Sequence, residues 1–554
     1  MKKSVGVFAG LFAIMSVACS GNKADYPYKA RLDEVCELID EVRDFDSALV
    51  VLDSLLYEYP GNQDCRFERA RVFWYMDRND EALLELDDLT RNYKKDCLVF
   101  KSTMHWLKSR ILFEKDDADG TIEELRNAVK AAVRDNPELV QNYKFDLANM
   151  LYGVDRMEES DNVYREMLND DPEDSSAMLG LARNCLERKH YYAGLEWANR
   201  AAIASSYYAE VYRIRMELFY GLGMKKQTVD DAVRYVEIDD SGEIDLDFLT
   251  RMASCDCEYA LDRINRKIDE LEDCGFWVAW LIKMYEYNNR YEDAIDIYLQ
   301  WIDEEPDNDR VHNLAANCYN LMGLYDDAIR EINLALKISD ETVLIGNRGA
   351  IYSDAGEYRN AVADFFKVIE RGQASAVIYR KIGYCYECMG QHELAFEYYK
   401  RGISLFPEQD AYIYVLSGDC NMESGNSIAA RNDYEMALQI EEKHGTSMWS
   451  AYAMMGLGQR NDAIKCLDEL IEDSPQESAN YYARARLLCR MGRTTQALVS
   501  LREALQHGFR SFATIEHEAD LASLYGNPEY HLLMAEYNGK EKTLPSHYDI
   551  SGVF

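Results

Sequence analysis

Apolar and small residues recur along this chain with the spacing of helices that bury one face. Between Asn308 and Asp340 the pattern predicts two amphipathic helices joined by a tight turn at Gly323. The residues that would meet between these two helices are Ala316, Tyr319, Ala328, Ile332 and Ala335. The repeating structural unit of the chain is therefore predicted to be a helical hairpin.

The hairpin pattern returns at a nearly constant distance. Ala328 is followed by Ala361 after 33 residues and by Ala395 after a further 34. A fixed period near 34 residues, with small and aromatic residues at fixed places, is typical of a helical repeat array. Only 9 prolines occur, and five of them stand where a repeat would end: Pro60, Pro172, Pro306, Pro407 and Pro475.

One small residue in the second helix of each hairpin marks the repeat, because a small side chain there lets the two helices approach closely. Markers are 32 to 35 residues apart, except for 39 on both sides of Thr121, where we expect longer helices or loops. The middle of the chain, about 194–275, matches least well and is either a hinge or ordinary drift. The fourteen markers are Ala48, Ala82, Thr121, Ser160, Gly194, Thr228, Ala260, Ala294, Ala328, Ala361, Ala395, Ala430, Ala463 and Ala497.

The pattern resembles the tetratricopeptide repeat family, which has a small residue at position 8, Tyr at 11 and Ala at 20, the marker position here. The resemblance implies an all-α fold, a right-handed superhelical α-solenoid of about fourteen helix-turn-helix repeats with a C-terminal helical cap. It implies an N-terminal array over 29–240 and a C-terminal array over 241–506. Residues 507–537 resemble the capping segment of such arrays, and 538–554 are expected to form a loosely held tail.

The N-terminus has the pattern of a targeting segment. Lys2 and Lys3 precede a short apolar run over Val5–Val17, which is too short for a membrane span. Residues 1–18 resemble a bacterial lipoprotein signal peptide, which implies that Cys19 carries diacylglycerol and palmitate and that 19–28 form a tether. Ser16 stands where lipoprotein signal peptides usually have Leu, so a plain secretory signal peptide is the alternative.

A lipoprotein signal implies a place in the bacterial envelope. We expect a lipid anchor in the outer membrane with the chain facing the periplasm, because the tether lacks an acidic run of the kind that resembles surface-export signals. A position on the cell surface and a soluble periplasmic form are the alternatives.

The charge and the cysteines narrow the choice of partners. The formal net charge of −38 argues against nucleic acid and anionic lipid headgroups as ligands, although the acidic residues could also serve only solubility.

Cys318 and Cys385 fall in the register of packed first-helix positions, where a free thiol behaves as a small apolar residue. Cys255, Cys257 and Cys274 lack a fourth ligand with zinc spacing, so no metal site is predicted.

The sequence contains no catalytic motif that we can recognise. It lacks a phosphate-binding glycine loop, a G-x-S-x-G elbow and an H-E-x-x-H pair. The repeats and the capping segment also leave no stretch for a separate catalytic domain. We therefore expect no enzyme activity, no catalytic residues and no small-molecule cofactor.

The resemblance implies that the first helix of each repeat lines a concave inner face, with positions 2, 5, 6, 9 and 12 pointing into it. These positions form a basic and amide-rich strip in an otherwise acidic protein. Part of the strip resembles the carboxylate clamp of peptide-binding members of the family. The clamp has three basic positions, of which Lys381 fills one, whereas Asn313 and Val377 stand at the other two. A solvated inner face without a ligand is the alternative. The predicted partner-binding residues are Arg310, Asn313, Asn317, Asn347, Arg380 and Lys381, of which Asn317, Asn347 and Lys381 match the clamp.

We therefore expect a non-catalytic scaffold or adaptor that binds protein or peptide partners in the inner groove. One alternative is an accessory subunit of an envelope secretion or assembly machine, and another is a receptor for a peptide or glycan ligand. Aromatic residues at inner positions either anchor a partner or pack between repeats. They include Trp74, Trp106, Tyr152, Tyr220, Trp449 and Tyr482.

Overall fold

The computed structural model describes residues 26–95, 97–239, 244–271, 275–509 and 512–538. Helices joined by short turns make up this part of the chain, and it contains no strand. The chain forms two compact units that divide between Asp245 and Leu246. The predicted signal peptide, Cys19, Cys274 and residues 539–554 of the predicted tail lie outside the described residues.

The first unit contains twelve α-helices in its described residues, which form six consecutive helical hairpins. A single π-helical turn, Leu38–Val42, extends the first helix. The helices are α1 (Lys29–Glu37), α2 (Phe45–Glu58), α3 (Gln63–Tyr75), α4 (Asn79–Arg91), α5 (Lys101–Glu114), α6 (Ala118–Asp135), α7 (Val140–Gly153), α8 (Met157–Asp170), α9 (Ser175–Glu187), α10 (Tyr191–Ala204), α11 (Ala209–Gly221) and α12 (Lys225–Ile238).

The second unit continues with eight hairpins and then the capping segment. Its helices are α13 (Leu246–Ala253), α14 (Cys257–Glu270), α15 (Gly275–Tyr287), α16 (Tyr291–Glu304), α17 (Asp309–Leu321), α18 (Tyr325–Ile338), α19 (Thr342–Asp354), α20 (Tyr358–Glu370), α21 (Ala376–Cys388), α22 (His392–Leu405), α23 (Ala411–Glu423), α24 (Ser427–His444), α25 (Met448–Gly456), α26 (Arg460–Asp473), α27 (Ser478–Arg490), α28 (Thr494–Gln506), α29 (Phe512–His517) and α30 (Pro528–Asn538).

The fourteen small marker residues are all buried, and each lies in the second helix of its pair. This includes Gly194, Thr228 and Ala260, whose repeats match the pattern poorly. A Cβ atom added at Gly194 would stand 2.7 Å from Leu218 Cδ2, which shows how closely the helices approach there. The predicted all-α architecture of fourteen helical hairpins is confirmed.

The small–aromatic spacing of the repeat has a direct packing cause. The Phe365 ring of α20 lies over Gly349 of α19, where an added Cβ would stand 2.8 Å from the ring. Tyr434 of α24 covers Gly418 of α23 in the same way, at 2.6 Å from an added Cβ. A small residue in the first helix therefore makes room for the aromatic residue of the second.

The longer spacing around Thr121 comes from a longer connection before it and a longer helix after it. Nine residues, 92–100, separate α4 from α5, whereas four, 171–174, separate α8 from α9. Helix α6 has 18 residues, whereas α8 and α10 have 14 each. A short 3-10 turn, Pro137–Leu139, adds further residues before α7. These insertions lie between helices or at the C-terminal end of α6, so the buried marker stays in register.

The capping segment covers the last hairpin, as its sequence predicts. Leu521, Leu524 and Leu533 are fully buried in one cluster with Leu501 and Leu505 of α28. Without this cover, the apolar face of the last hairpin would be exposed to water.

The cysteines pack as their register predicts. Cys318 and Cys385 are buried free thiols in the first helices of their hairpins. Burial raises the pKa of Cys385 to about 12, so it stays a neutral thiol at physiological pH.

Candidate functional site

The second unit contains a cavity of about 420 Å³ that is formed by the first helices of five successive hairpins. We call it the inner cavity. Helices α19, α21, α23, α25 and α27 each contribute side chains, and the capping segment contributes three more. Its aromatic lining residues are Tyr384, Tyr412, Trp449, Tyr452, Tyr482 and Phe509, and its charged ones are Asp354, Arg380, Lys381, Arg486 and Glu518.

The aromatic walls are stacked against each other in pairs. The rings of Tyr412 and Trp449 lie with their centroids 3.4 Å apart and 10° from parallel. Tyr482 and Phe509 stack with centroids 4.2 Å apart. Between them, small residues such as Ala350 leave the space open. Rigid, flat apolar walls of this kind suit a planar or apolar side chain of a ligand.

One hydroxyl in the wall has no partner among the described residues. Tyr482 is only 6% exposed, and its Oη makes no hydrogen bond within the described chain. Burial, together with the Glu518 carboxylate, raises the pKa of Tyr482 well above its usual value, so the hydroxyl stays protonated. It is therefore a donor without an acceptor, carried by a side chain that lines the cavity.

The two cations of α21 differ in how far their charge is already paired. Arg380 donates from Nε to Asp410 Oδ2 at 2.6 Å, and its guanidinium lies 4.6 Å from the Tyr412 ring centroid. Lys381 has no salt bridge within the described chain, and burial followed by the Arg380 charge lowers the pKa of its ammonium. Lys381 is therefore the cation of α21 with most to gain from an added anion.

An acidic residue accompanies Lys381 in the cavity. Burial raises the pKa of Asp354, although its Oδ2 accepts a 2.8 Å hydrogen bond from Asn320 Nδ2. A carboxyl with a raised pKa offers less negative charge near neutral pH. Asp354 therefore compensates Lys381 only in part.

Two arginines of α27 hold the capping segment on the inner face. Arg486 Nη2 lies 3.1 Å from Glu518 Oε1 and 2.8 Å from Asp520 Oδ2. Arg490 Nε lies 2.6 Å from Asp520 Oδ1. Burial alone would raise the pKa of Asp520, but the two guanidinium groups lower it below its ordinary value. The capping segment is thus bound by charge as well as by its apolar residues.

The six predicted partner-binding residues fall into three groups. Arg380 and Lys381 line the inner cavity. Asn347 donates from Nδ2 to Asn313 Oδ1 at 2.9 Å, so these amides connect the first helices of two neighbouring hairpins. Arg310 and Asn317 are exposed on α17 and lie outside the lining of the cavity. A role in partner binding stays a prediction for all six.

Some of the inner positions that the resemblance implies line the cavity, whereas those of α17 do not. Counting each marker as position 20, Lys381 stands at 6, Tyr384 at 9, Tyr412 at 2 and Arg486 at 9. The sequence interpretation named Trp449 and Tyr482 as inner aromatics but missed Tyr384, Tyr412, Tyr452 and Arg486. The repeat register was the signal that could have found them, whereas Phe509, Thr514 and Glu518 of the capping segment follow no register.

The described residues offer neither a metal cluster nor a membrane-spanning helix. No three His, Cys, Asp or Glu side chains there lie close enough together to hold a metal ion. None of the helices in those ranges combines the length and the apolar composition needed to cross a membrane.

Three segments of the chain match known repeat families. Residues 283–341, 376–409 and 447–476 each match a family described as tetratricopeptide repeat. The chain contains tetratricopeptide repeats. All three matched segments lie in the second unit, and the last two include lining residues of the inner cavity. Tetratricopeptide repeats are generally scaffolds for protein–protein interaction, which is the function class they indicate here.

A curated relative supports the same assignment over a limited length. Heat shock protein STI1 of Saccharomyces cerevisiae is 22% identical over 177 residues, which cover 30% of this chain and 28% of the yeast protein. The match thus spans less than a third of that relative.

Solved structures that match this chain do so at low identity and low TM-score. The crystal structure of MamA is 23% identical, covers 30% of this chain and 96% of its own, and has a TM-score of 0.26. The APC/C hetero-tetramer Cut9-Hcn1 is 14% identical, with coverage of 95% and 99% and a TM-score of 0.31. At these values the likeness does not extend to function.

Proposed function

We propose that this protein is a non-catalytic tetratricopeptide-repeat adaptor that binds a protein or peptide partner on the inner face of its second unit. The inner cavity is the observation that carries the proposal. It brings stacked aromatic rings, an unpaired hydroxyl at Tyr482 and the incompletely compensated cation of Lys381 into one space of about 420 Å³. Aromatic anchors beside cations and amides are the groups that hold peptide side chains and carboxylates.

The amides beside the cavity extend this surface along the repeats. The Asn347–Asn313 hydrogen bond joins α19 to α17, and the exposed Asn317 lies one turn further along α17. Amide groups can pair with the N–H and C=O groups of an extended backbone. A partner segment would thus contact several hairpins in succession, which gives affinity without one deep site.

The site of action that we propose is the bacterial envelope. Its support is the lipoprotein-like start of the sequence, with Cys19 as the lipidated residue, and an outer-membrane anchor facing the periplasm. Several acyl chains on one cysteine would hold the protein firmly, whereas a single chain gives only weak binding. A Cys19→Ser variant should move from the membrane to the soluble fraction, and an unchanged distribution would refute the anchor.

A receptor for a small peptide or glycan is the second candidate, and the size of the cavity favours it. A volume of about 420 Å³ lies within the usual range for small-ligand pockets, roughly 300–1,000 Å³. Purified glycans and short peptides can be compared by the thermal shift that each produces. A shift with a glycan that Tyr412→Ala abolishes would favour the receptor over the adaptor.

The adaptor is tested by crosslinking and affinity capture from the protein's own membranes. The native chain is compared with a triple variant, Asn317→Ala/Asn347→Ala/Lys381→Glu, and with Lys337→Glu as the matched control. Lys337 is exposed on the second helix α18, outside the cavity lining. One protein captured by the native chain and the control, but lost with the triple variant, would support the proposal. Equal capture by all three would refute binding at this face.

A further inference from the structure

The geometry points to the chemistry of the partner: we infer that the inner cavity takes a peptide segment in which an aromatic residue lies close to an Asp or Glu. The aromatic side chain would lie against the stacked rings, and the carboxylate would meet Lys381. This inference rests on the proposed adaptor function and names the class of segment that its cavity selects.

The protein's own capping segment shows how this inner face holds such a segment. Phe509 stacks on Tyr482, and Glu518 and Asp520 pair with Arg486. An aromatic ring and two carboxylates, which stand nine and eleven residues after it in the chain, are thus already bound by one side of the cavity. The contacts are made by side chains of a first helix, at the same inner positions that a partner would meet.

The other side of the cavity repeats this chemistry on different helices. Tyr412 and Trp449 provide a stacked aromatic wall, and Lys381 provides a cation without a salt bridge in the described chain. Tyr384 links the two sides, since it lines the cavity and is hydrogen-bonded to Thr514 of the capping segment. A segment with one ring and one carboxylate would satisfy the wall and the cation together.

The charged residues that line the inner cavity leave a place for an anion beside Lys381, although the protein as a whole is acidic. The lining carries two carboxyl groups, Asp354 and Glu518, and three cations. Arg380 is already paired with Asp410, and Arg486 with Glu518 and Asp520, so Lys381 is the lining cation without a salt bridge among the described residues. Burial raises the pKa of both carboxyl groups, which weakens their repulsion of an incoming carboxylate. A basic peptide would instead place its charge next to Lys381 at a cost in binding.

The hydroxyl of Tyr482 adds a second reason to expect a polar ligand group. It is more than nine-tenths buried and has no hydrogen-bond partner among the described residues. A buried polar group without a partner is unfavourable, so a ligand acceptor within reach would gain a hydrogen bond at no competing cost. A carboxylate or a peptide carbonyl meets this need, whereas an apolar ligand does not.

The test is a selection from a display library of random 12-residue peptides on the purified full chain. We expect the recovered peptides to carry Phe, Tyr or Trp with an Asp or Glu within about four residues. One recovered peptide, labelled with a fluorophore, is then measured by anisotropy against single variants. Lys381→Met should weaken its binding by about tenfold or more, because a charge-assisted hydrogen bond is lost.

Two further variants separate the site from general effects. Tyr482→Phe removes only the hydroxyl and should weaken binding by about threefold to tenfold, as for one neutral hydrogen bond. Lys337→Met is the matched control and should leave the affinity unchanged. Thermal unfolding should show that Lys381→Met and Tyr482→Phe remain folded. Tyr482 Oη has no hydrogen-bond partner among the described residues, and Lys381 loses a contact at 5.7 Å from the Phe365 ring centroid but no salt bridge.

The outcomes distinguish this inference from the proposed function. Peptides that lack an acidic residue, or that bind Lys381→Met as well as the native chain, would overturn the inference and leave a peptide-binding adaptor standing. Failure to recover any peptide that binds the native chain would count against both. Peptides that show the expected pattern and lose affinity with Lys381→Met would support both.

Discussion

Arg348 and Asp364 form a bidentate ion pair between the two helices of one hairpin, α19 and α20. Arg348 donates from Nε to Oδ2 at 2.7 Å and from Nη2 to Oδ1 at 2.9 Å, and the Asp364 side chain is only 3% exposed. Arg215 and Asp231 repeat this geometry in the first unit, with both distances at 2.6 Å. The repeat thus stabilises some of its hairpins through a buried charge as well as through small-to-aromatic packing.

Breaking this pair should destabilise the second unit. We expect Arg348→Met to lower the free energy of unfolding by about 2–4 kcal/mol, because the buried Asp364 carboxylate loses its main partner. The midpoint of urea unfolding measures this. Arg371→Met is the control: Arg371 pairs with the largely exposed Asp340, so we expect a loss of about 0.5 kcal/mol or less. Equal losses in the two variants would contradict the prediction.

The same pair should make stability depend on pH. Burial alone would raise the pKa of Asp364, but Arg348 and Lys367 lower it below the ordinary value. A lowered folded-state pKa contributes stability that is present at neutral pH and is lost as the pH falls through that pKa. The difference between the native chain and Arg348→Met should therefore shrink in acid, and a constant difference from neutral pH to about pH 3 would argue against it.

The buried marker position should not tolerate a larger residue. Ala361 is fully buried on α20, whereas Ala363 is exposed on the same helix. We expect Ala361→Leu to cost about 1–3 kcal/mol by overpacking, since the hairpin leaves no room for three added carbons. Ala363→Leu should change stability by less than about 0.5 kcal/mol. Thermal melts of both variants by circular dichroism would check this, and similar melting temperatures would disprove it.

A buried acid in the first unit should reduce stability at neutral pH. Asp146 is 2% exposed and accepts a 2.9 Å hydrogen bond from Trp106 Nε1. Burial raises the pKa of Asp146 to about 6, against the opposing effects of Trp106 and Arg110. A raised folded-state pKa gives stability that is full below the unfolded pKa and is lost as the pH rises through about 6.

We therefore expect Asp146→Asn to stabilise the protein by about 1–3 kcal/mol at pH 8, because the amide keeps an acceptor for Trp106 without the buried charge. The gain should vanish near pH 4, where the native carboxyl is protonated. Urea unfolding at the two pH values would measure it, with the exposed Glu166→Gln as the control. A gain that is the same at both pH values would show that charge is not the cause.

The capping segment should loosen when its central carboxylate is neutralised. Asp520 meets both Arg486 and Arg490, so Asp520→Asn leaves two half-buried guanidinium groups with weaker partners. We expect hydrogen exchange over 512–525 to speed up by about tenfold or more, while α17 and α18 stay unchanged. The exposed Glu516→Gln is the control within the same segment. Unchanged exchange in Asp520→Asn would mean that apolar packing alone holds the cap.

The sequence predicted the hairpins well because each depends mainly on contacts within itself and with its neighbours. Ala361 and Phe365 stand four residues apart in one helix, and Phe365 meets Gly349, which lies 16 residues earlier in the first helix of the same hairpin. Such local requirements recur in every repeat and are visible as a period. The same register predicted that Lys381, Trp449 and Tyr482 face inward, and all three line the inner cavity.

The pairing of the cations could not be seen in the sequence. Arg380 and Lys381 are neighbours with equal charge, yet Arg380 is bound to Asp410 and Lys381 has no salt bridge in the described chain. Which acid reaches which cation depends on how successive hairpins stack. A register assigns a direction to each side chain but not its partner.

The sequence by itself thus determined the all-α repeat, its fourteen hairpins and the capping segment, because these follow from short-range packing. Only the tertiary structure decided that residues from Ala350 to Glu518 share one cavity and that Phe509 closes it against Tyr482. These contacts join distant parts of the second unit. They arise from small rotations between successive hairpins that add up over several repeats, and no local pattern records that sum.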